Sequence, residues 1–225
     1  HCDHALLLDS GRTVCGGRPR DVVNRYLDLL FGNENAQQGE VKQVAQLEPV
    51  TPFSVDGGGF ETRPNYNPHE YRWGDGAAKI IDFELRSDSQ VYPLSLESGT
   101  KLRLALRILF EREVVRPILG FFVKTKEGVV VYASNTEYKS LPEFAAKGFA
   151  GDVVDVTLAF DCGLADGDYF ISVGVASRNE AEVVPHDRRY DSIHLQVMGA
   201  DFFGMADLAL DMVQATSIDV RRSAG

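Results

Sequence analysis

The chain has 225 residues, a hydrophobic share of 44% and a formal net charge of −10 at neutral pH. This length allows one large β domain or two smaller units, and the apolar share is ordinary for a globular protein. The negative charge argues against nucleic acid or anionic lipid as the ligand, because both require a concentrated basic face.

The cysteines and the hydropathy pattern indicate a reducing compartment. Cys2, Cys15 and Cys162 are an odd number without metal-ligand spacing, so we interpret them as reduced thiols. The sequence shows neither a signal-peptide pattern nor a run of about 18 apolar residues. We therefore expect any association with a membrane to come through a partner.

Residues 1–31 predict a short hairpin followed by a helix. Two apolar strands, 5–9 and 12–15, flank a Ser-Gly turn, and Pro19 stands where a first helical turn tolerates proline. The residues that then recur at helical spacing are Val22, Val23, Tyr26, Leu27 and Leu30. Because a unit this small cannot bury a core, we expect it to be the end of a domain that lies upstream.

This segment resembles the last part of an ABC-transporter nucleotide-binding domain. The matching residues are Cys2-Asp3-His4-Ala5, the apolar 6–8, Asp9, Gly11-Arg12, Val14, Gly17, Pro19 and Asp21-Val22-Val23, leading to Tyr26-Leu27. The family's ATP-handling motifs lie before this segment, and the chain contains no GxxxxGK[ST] phosphate loop. The resemblance therefore implies ATP and magnesium for an upstream domain, and no cofactor or enzymatic activity for these 225 residues. An accidental strand-turn-helix is the alternative.

Residues 32–70 predict a linker. Asn and Gln dominate its first part, and prolines and a Gly57-Gly58-Gly59 run dominate the rest. Such a composition buries too little apolar area to offset the entropy of ordering.

Residues 71–225 predict an all-β domain, because apolar and polar residues alternate with period two in five segments. The apolar members are Ile81, Phe83 and Leu85; Leu102, Leu104, Leu106, Ile108 and Phe110; Val154, Val156, Leu158 and Phe160; Tyr169, Ile171, Val173 and Val175; and Ile193, Leu195 and Val197. Two further segments, 117–124 and 129–133, are more continuously apolar. Seven or eight strands without a long helix indicate an antiparallel β-sandwich of the Ig-like or jelly-roll kind.

The same region is similar to the C-terminal carbohydrate-binding domain of Wzt-type O-antigen ABC-transporter ATPases. The matching residues are 72–80 (Arg-Trp-Gly-Asp-Gly-Ala-Ala-Lys-Ile), Gly120-Phe121, Gly128, Ser134-Asn135-Thr136, Gly167-Asp168-Tyr169, 187–192 and Gln196-Val197. The resemblance implies binding of undecaprenyl-linked O-antigen polysaccharide in the cytoplasm, at the inner face of the inner membrane. It also implies a homodimer and a Wzm-type transmembrane subunit as partners.

A saccharide site requires an aromatic platform and planar or forked polar groups on a shallow surface. The alternation places such groups on the solvent side of several strands. The candidate carbohydrate-binding residues are Trp73, Arg103, Arg107, Asp155, Thr157, Phe170, Ser172, His194 and Gln196.

Each candidate has a second interpretation. Arg103 and Arg107 could form ion pairs on a solvated face, and Trp73 could anchor the first strand instead of stacking on a sugar. A one-residue shift of register would exchange Phe170 with Tyr169. Neighbouring carboxylates, such as Asp187 and Asp191, could suggest a glycosidase, although surface charge explains them adequately. The alternative function is a dimerisation or regulatory domain without glycan binding.

Overall fold

The computed structural model describes residues 3–9, 11–19, 22–23, 25–26, 59–139, 144, 147–179 and 182–209. These residues contain thirteen β-strands, one short 3-10 helix, Phe60–Thr62, and helical residues at 19, 22, 23, 25, 26 and 144. The strands are β1 (Ala5–Asp9), β2 (Arg12–Gly17), β3 (Tyr71–Trp73), β4 (Ala78–Ser87), β5 (Ser95–Glu97), β6 (Thr100–Phe110), β7 (Val114–Val115), β8 (Pro117–Thr125), β9 (Val130–Asn135), β10 (Lys147–Gly148), β11 (Val153–Cys162), β12 (Gly167–Asn179) and β13 (Glu182–Met198).

Two antiparallel sheets face each other. The small sheet has the order β11-β6-β4, and the large sheet has the order β3-β13-β12-β8-β9, with β5 added in parallel beside the end of β13. The β1–β2 hairpin and a second two-stranded pair, β7 with β10, lie outside these sheets. The predicted all-β antiparallel sandwich is therefore confirmed.

The predicted alternation sorts side chains as expected. In β6, Leu102, Leu104 and Leu106 are at most 1% exposed, whereas Arg103 between them is exposed. Full burial of one such side chain contributes about 1.5–3 kcal/mol. One position differs: a bulge between Ile80 and Asp82 turns Ile80 into the core, so Ile81 is only half-buried.

The long strand β13 carries a wide bulge opposite β12. Ile171 pairs with Ile193, but Val173 pairs with Arg189, so three residues of β13 stand opposite Ser172. Asp191, in the middle of the bulge, has a left-handed φ of 56°. Bulges of this kind redirect side chains, and here the bulge aims the Asp191 carboxylate at β8.

Residues 59–70, which fall within the predicted linker, pack against the sandwich. Phe60 is 2% exposed and belongs to the core, and Tyr66 forms an isolated bridge with Ile193. The buried Arg189 guanidinium lies 3.5 Å from the Phe60 ring centroid and binds Glu70 through Nε and Nη2. The packed domain therefore begins about ten residues before the start that alternation indicated. The remaining linker, 32–58, and the end of the chain, 210–225, lie outside the described residues.

The N-terminal unit agrees with the predicted hairpin and helix. β1 and β2 pair antiparallel, and residues 19, 22, 23, 25 and 26 are helical. Leu27 and Leu30 lie outside the described residues. Across the part of the chain that the structure describes, no helix is both long enough and apolar enough to cross a membrane.

Candidate functional site on the outer face of the large sheet

The outer face is the surface of the large sheet that points away from the core. Strand alternation fixes its members: Tyr169, Ile171 and Val173 are buried inward, so Phe170 and Gly174 point outward. The predicted register of β12 is thereby confirmed. The outward side chains of this face also include Tyr71 and Trp73 on β3, Phe122 and Lys124 on β8, and Arg188 and Tyr190 on β13.

A floor without side chains crosses the middle of the outer face. Gly174 of β12 is paired with Gly120 of β8, and Arg188 of β13 stands beside Gly174 on the other side. The Arg188 side chain runs over this floor: a β-carbon at Gly174 would lie 2.7 Å from Arg188 Cδ, and one at Gly120 would lie 3.4 Å from its Nη1. Trp73 is paired with Arg188 in the register of β3 and β13. The Arg188 side chain extends from β13 towards β8, so its guanidinium lies on the opposite side of β13 from the indole.

Aromatic rings form the next row of the face. Tyr71 and Tyr190 stack with centroids 6.2 Å apart, and Phe122 lies 5.5 Å from Tyr190. Tyr190 is 2% exposed, so it supports the row from below, whereas Tyr71 and Phe122 are half-buried. Ser172 lies in the same row as a buried residue, where its Oγ accepts a hydrogen bond from the Asp191 N–H at 2.7 Å.

A cavity of about 350 Å³ opens at the end of the outer face that carries Phe170 and Lys124. Its lining includes Phe170 and the ion pair of Lys124 and Asp191, whose Nζ and Oδ1 are 2.7 Å apart with both side chains at most 5% exposed. The ring centroids of Phe170 and His194 are 5.3 Å apart. His194 Nε2 lies 2.9 Å from Asp168 Oδ1. The volume lies in the range of about 300–1,000 Å³ that small-molecule sites occupy.

The loop after Trp73 is fixed to β13. Gly74 has a φ of 150°, and a β-carbon there would lie 2.2 Å from the His186 carbonyl oxygen, so only glycine fits. Gly76 donates its N–H to the same oxygen at 2.9 Å. This anchoring sets the position of the neighbouring indole.

Asp75 adds a side-chain latch to this loop. Its Oδ1 lies 2.9 Å from His186 Nδ1, and His186 Nε2 lies 2.9 Å from Ser177 Oγ. Partial burial raises the pKa of the Asp75 carboxyl, but the N–H of Ala77, His186 and Arg112 together hold that pKa below its ordinary value. The order Asp-His-Ser matches a hydrolase triad, yet Ser177 lies within β12, paired with Pro117 and Val184, and not on an exposed strand-to-helix turn. The contacts therefore serve to hold the loop.

The opposite side of the sandwich carries a different polar surface. Arg107 of β6 binds Asp155 of β11 through Nε and Nη2, both at 2.8 Å. This hydrogen-bonded contact raises the pKa of Arg107. The pair lies on the outer side of the small sheet, so the two outward surfaces are separated by the whole core.

Comparison with known proteins identifies the fold family. The model of the Wzt C-terminal domain family matches residues 69–208. The chain belongs to this family. The crystal structure of a Wzt C-terminal domain is 34% identical, with a TM-score of 0.64, over 69% of this chain and 94% of that chain.

Two other solved structures have lower sequence identity and lower TM-scores. A Niemann-Pick type C2 protein from the Japanese carpenter ant is 12% identical with a TM-score of 0.39, over 57% of this chain and 98% of that chain. A CARDB domain from Pyrococcus furiosus is 11% identical with a TM-score of 0.30, over 57% of this chain and 96% of that chain. No curated protein matches the chain.

Within this Wzt-family fold, the nine sequence candidates fall on two opposite surfaces. Five belong to the large sheet or its edge: Trp73, Phe170, Ser172, His194 and Gln196. Four belong to the small sheet: Arg103, Arg107, Asp155 and Thr157. The structure therefore does not bring them into one groove. Ser172 is fully buried, Gln196 is exposed, and Arg107 and Asp155 form the ion pair that the second interpretation anticipated.

Sequence reasoning did not include Arg188, Lys124 and Tyr190 among the contacts. The signal that could have found Arg188 was glycine: Gly174 interrupts an alternating strand and Gly120 interrupts a continuously apolar one, and a glycine inside a strand marks a close approach. The carboxylates considered for a glycosidase are engaged elsewhere, because Asp187 binds Arg72 at 2.8 Å and Asp191 binds Lys124. Among the described residues, no group of three His, Cys, Asp or Glu side chains could hold a metal ion.

Proposed function

We propose that the outer face of the large sheet binds a polysaccharide. The observation that carries this proposal is that one face bears both aromatic rings, at Trp73 and Tyr71, and a guanidinium, that of Arg188 over the Gly120–Gly174 pair. An indole offers a flat surface for the C–H face of a sugar ring, and a guanidinium offers several donors in a plane for vicinal hydroxyls. The two glycines let the Arg188 side chain lie close to the backbone of β12 and β8.

The proposed polymer is undecaprenyl-linked O-antigen, recognised in the cytoplasm before export. Membership of the Wzt C-terminal domain family supports this choice. The resemblance of residues 2–27 to the end of an ABC nucleotide-binding domain adds to it. The domain then sits at the inner face of the inner membrane through a Wzm-type transmembrane subunit, and it selects the glycan without chemistry of its own.

The proposed assembly is a homodimer, in keeping with the pairwise action of ABC ATPases. Two shallow sites on one repeating polymer raise the apparent affinity, because the second contact forms at a high effective concentration.

Titration calorimetry of the 225-residue chain tests the proposal. The probe is the O-polysaccharide purified from the strain that produces this protein, with an unrelated bacterial polysaccharide as the control. We expect binding to the first and none to the second. Failure to bind its own polymer would overturn the proposal and favour a dimerisation or regulatory domain without a glycan site.

A further inference from the structure

The N-terminal helical turn lies against the outer face. Pro19 and Val23 of this turn line the same cavity as Phe170, Lys124 and Asp191 of the large sheet. The turn is closed by a hydrogen bond from the Val22 N–H to the Arg18 carbonyl oxygen. Val23, which lines the cavity, is 45% exposed, and its neighbour Val22 is 6% exposed.

The turn also reaches the proposed sugar platform. The guanidinium carbon of Arg25 lies over the Trp73 ring, 4.9 Å from its centroid, which is within cation–π distance. A sugar ring that stacks on an indole needs the ring surface that a guanidinium also uses. The turn therefore contacts the outer face at two places, at Trp73 and at the Phe170 cavity.

We propose that the N-terminal helical turn and a polysaccharide compete for the outer face, so that glycan binding displaces the turn. This inference rests on the proposed function of the face. Competition makes the outer face a sensor: occupancy by glycan changes the contact between the sandwich and the N-terminal unit. Thermodynamic linkage makes the competition reciprocal. A change that weakens the contact between the turn and the outer face therefore raises the affinity for the saccharide by the same factor.

The size of the effect follows from the contact that is lost. A partly exposed cation–π contact corresponds to a change of about two- to fivefold in affinity. Removing the Arg25 guanidinium should therefore raise the affinity for the polysaccharide by about that factor.

The experiment begins without saccharide and uses Trp73, the only tryptophan of the chain, as a fluorescent reporter. Quenching by acrylamide is measured for the wild type, Arg25→Ala and Arg25→Lys. The control is Arg12→Ala, which removes the same charge from an exposed position on β2 of the same unit. We expect a larger quenching constant for Arg25→Ala, a partial return in Arg25→Lys, and no change in Arg12→Ala. An unchanged constant in Arg25→Ala would overturn the inference and leave the proposed function standing.

The second step titrates the same variants with the purified O-polysaccharide by calorimetry. We expect Arg25→Ala to bind about two- to fivefold more tightly than the wild type and Arg12→Ala to bind equally. Equal affinity of Arg25→Ala, together with increased quenching, would show packing without competition and would overturn the inference. Absence of binding in all variants would instead remove the proposed function, and the competition with it.

Discussion

The Arg188 side chain lies across Gly174. A β-carbon added at Gly174 would come within 2.7 Å of Arg188 Cδ, so that side chain would have to move, and it would lie 3.0 Å from the Asp187 carbonyl oxygen, which is a tight contact. The same addition at Gly120 meets only Arg188 Nη1, at 3.4 Å, and the Gly174 carbonyl oxygen, at 3.8 Å. Two glycines in neighbouring strands thus differ in what surrounds them.

Gly174→Ala is expected to displace Arg188 and to lower the free energy of unfolding by about 1–3 kcal/mol, because overpacking forces the side chain or the strand to move. Gly120→Ala is the matched control, and we expect a change of less than about 1 kcal/mol, because its contacts are ordinary. Urea unfolding followed by circular dichroism measures both. Equal destabilisation of the two variants would contradict the position assigned to Arg188.

Arg189→Met is expected to destabilise the domain by about 3–5 kcal/mol, because it leaves a buried carboxylate without its cation. Arg189 is 1% exposed and binds Glu70 at 2.6 and 3.0 Å, and its Nη1 donates to the Ile80 carbonyl oxygen at 2.9 Å. The double variant Glu70→Leu with Arg189→Met should recover part of this loss. Denaturant unfolding of the wild type, both single variants and the double variant gives the coupling.

A surface ion pair provides the comparison for the double-mutant cycle of Glu70 and Arg189. Lys79 and Glu111 lie 2.8 Å apart with both side chains 43% exposed. Exposed ion pairs contribute about 0–1 kcal/mol to stability. Lys79→Ala should therefore lower the free energy of unfolding by no more than about 1 kcal/mol. A loss as large as that of Arg189→Met would show that burial does not set the energy of these pairs.

Asp75 predicts a pH dependence of stability. The pKa of its carboxyl lies below the ordinary value of 3.8, so its contribution is present above about pH 4 and is lost as the pH falls through the lowered value. Asp75→Asn should therefore be less stable than the wild type at pH 5, and the difference should shrink towards pH 3. Urea unfolding at pH 5 and pH 3 measures the difference in the free energy of unfolding between the two proteins. A difference that does not change with pH would contradict the role of the Asp75 charge in holding the loop.

Cys162 is expected to be unreactive in the folded protein. It is 1% exposed, and burial raises the pKa of its thiol to about 12, so the reactive thiolate is rare at pH 8. Cys15, which is half-buried, is the internal control. Alkylation by iodoacetamide at pH 8, mapped by mass spectrometry, should label Cys15 well before Cys162 in the native protein and both in urea. Equal labelling without urea would contradict the packing of β11.

The sequence predicted which side chains face the core because the period of a strand is two. It could not predict which sheet each strand joins, since alternation is the same in both. Arg107 and Phe170 both satisfy the outward pattern, yet β6 and β12 belong to different sheets, so they lie on opposite surfaces. The candidate residues therefore lie on two surfaces, and the alternation of apolar and polar residues alone cannot show this.

Residues 59–70 show a second limit. Proline and polar residues made this stretch similar to the linker before it, but two Arg–carboxylate contacts (Arg63–Asp82 and Arg189–Glu70) tie it to the sheets. The partners are separated by 19 and 119 positions. Local composition carries no information on contacts of that range.

The most direct test of glycan recognition on the large sheet compares its two outward surfaces. Calorimetric titration with the strain's own O-polysaccharide is made on Trp73→Ala and Arg188→Ala, which alter the outer face, and on Arg103→Ala, which alters the exposed side of the small sheet. Loss of hydrogen bonds to a charged group predicts affinity at least about tenfold weaker for Arg188→Ala, with Trp73→Ala similarly weakened and Arg103→Ala unchanged. Binding that survives both large-sheet changes but is lost in Arg103→Ala would contradict the account.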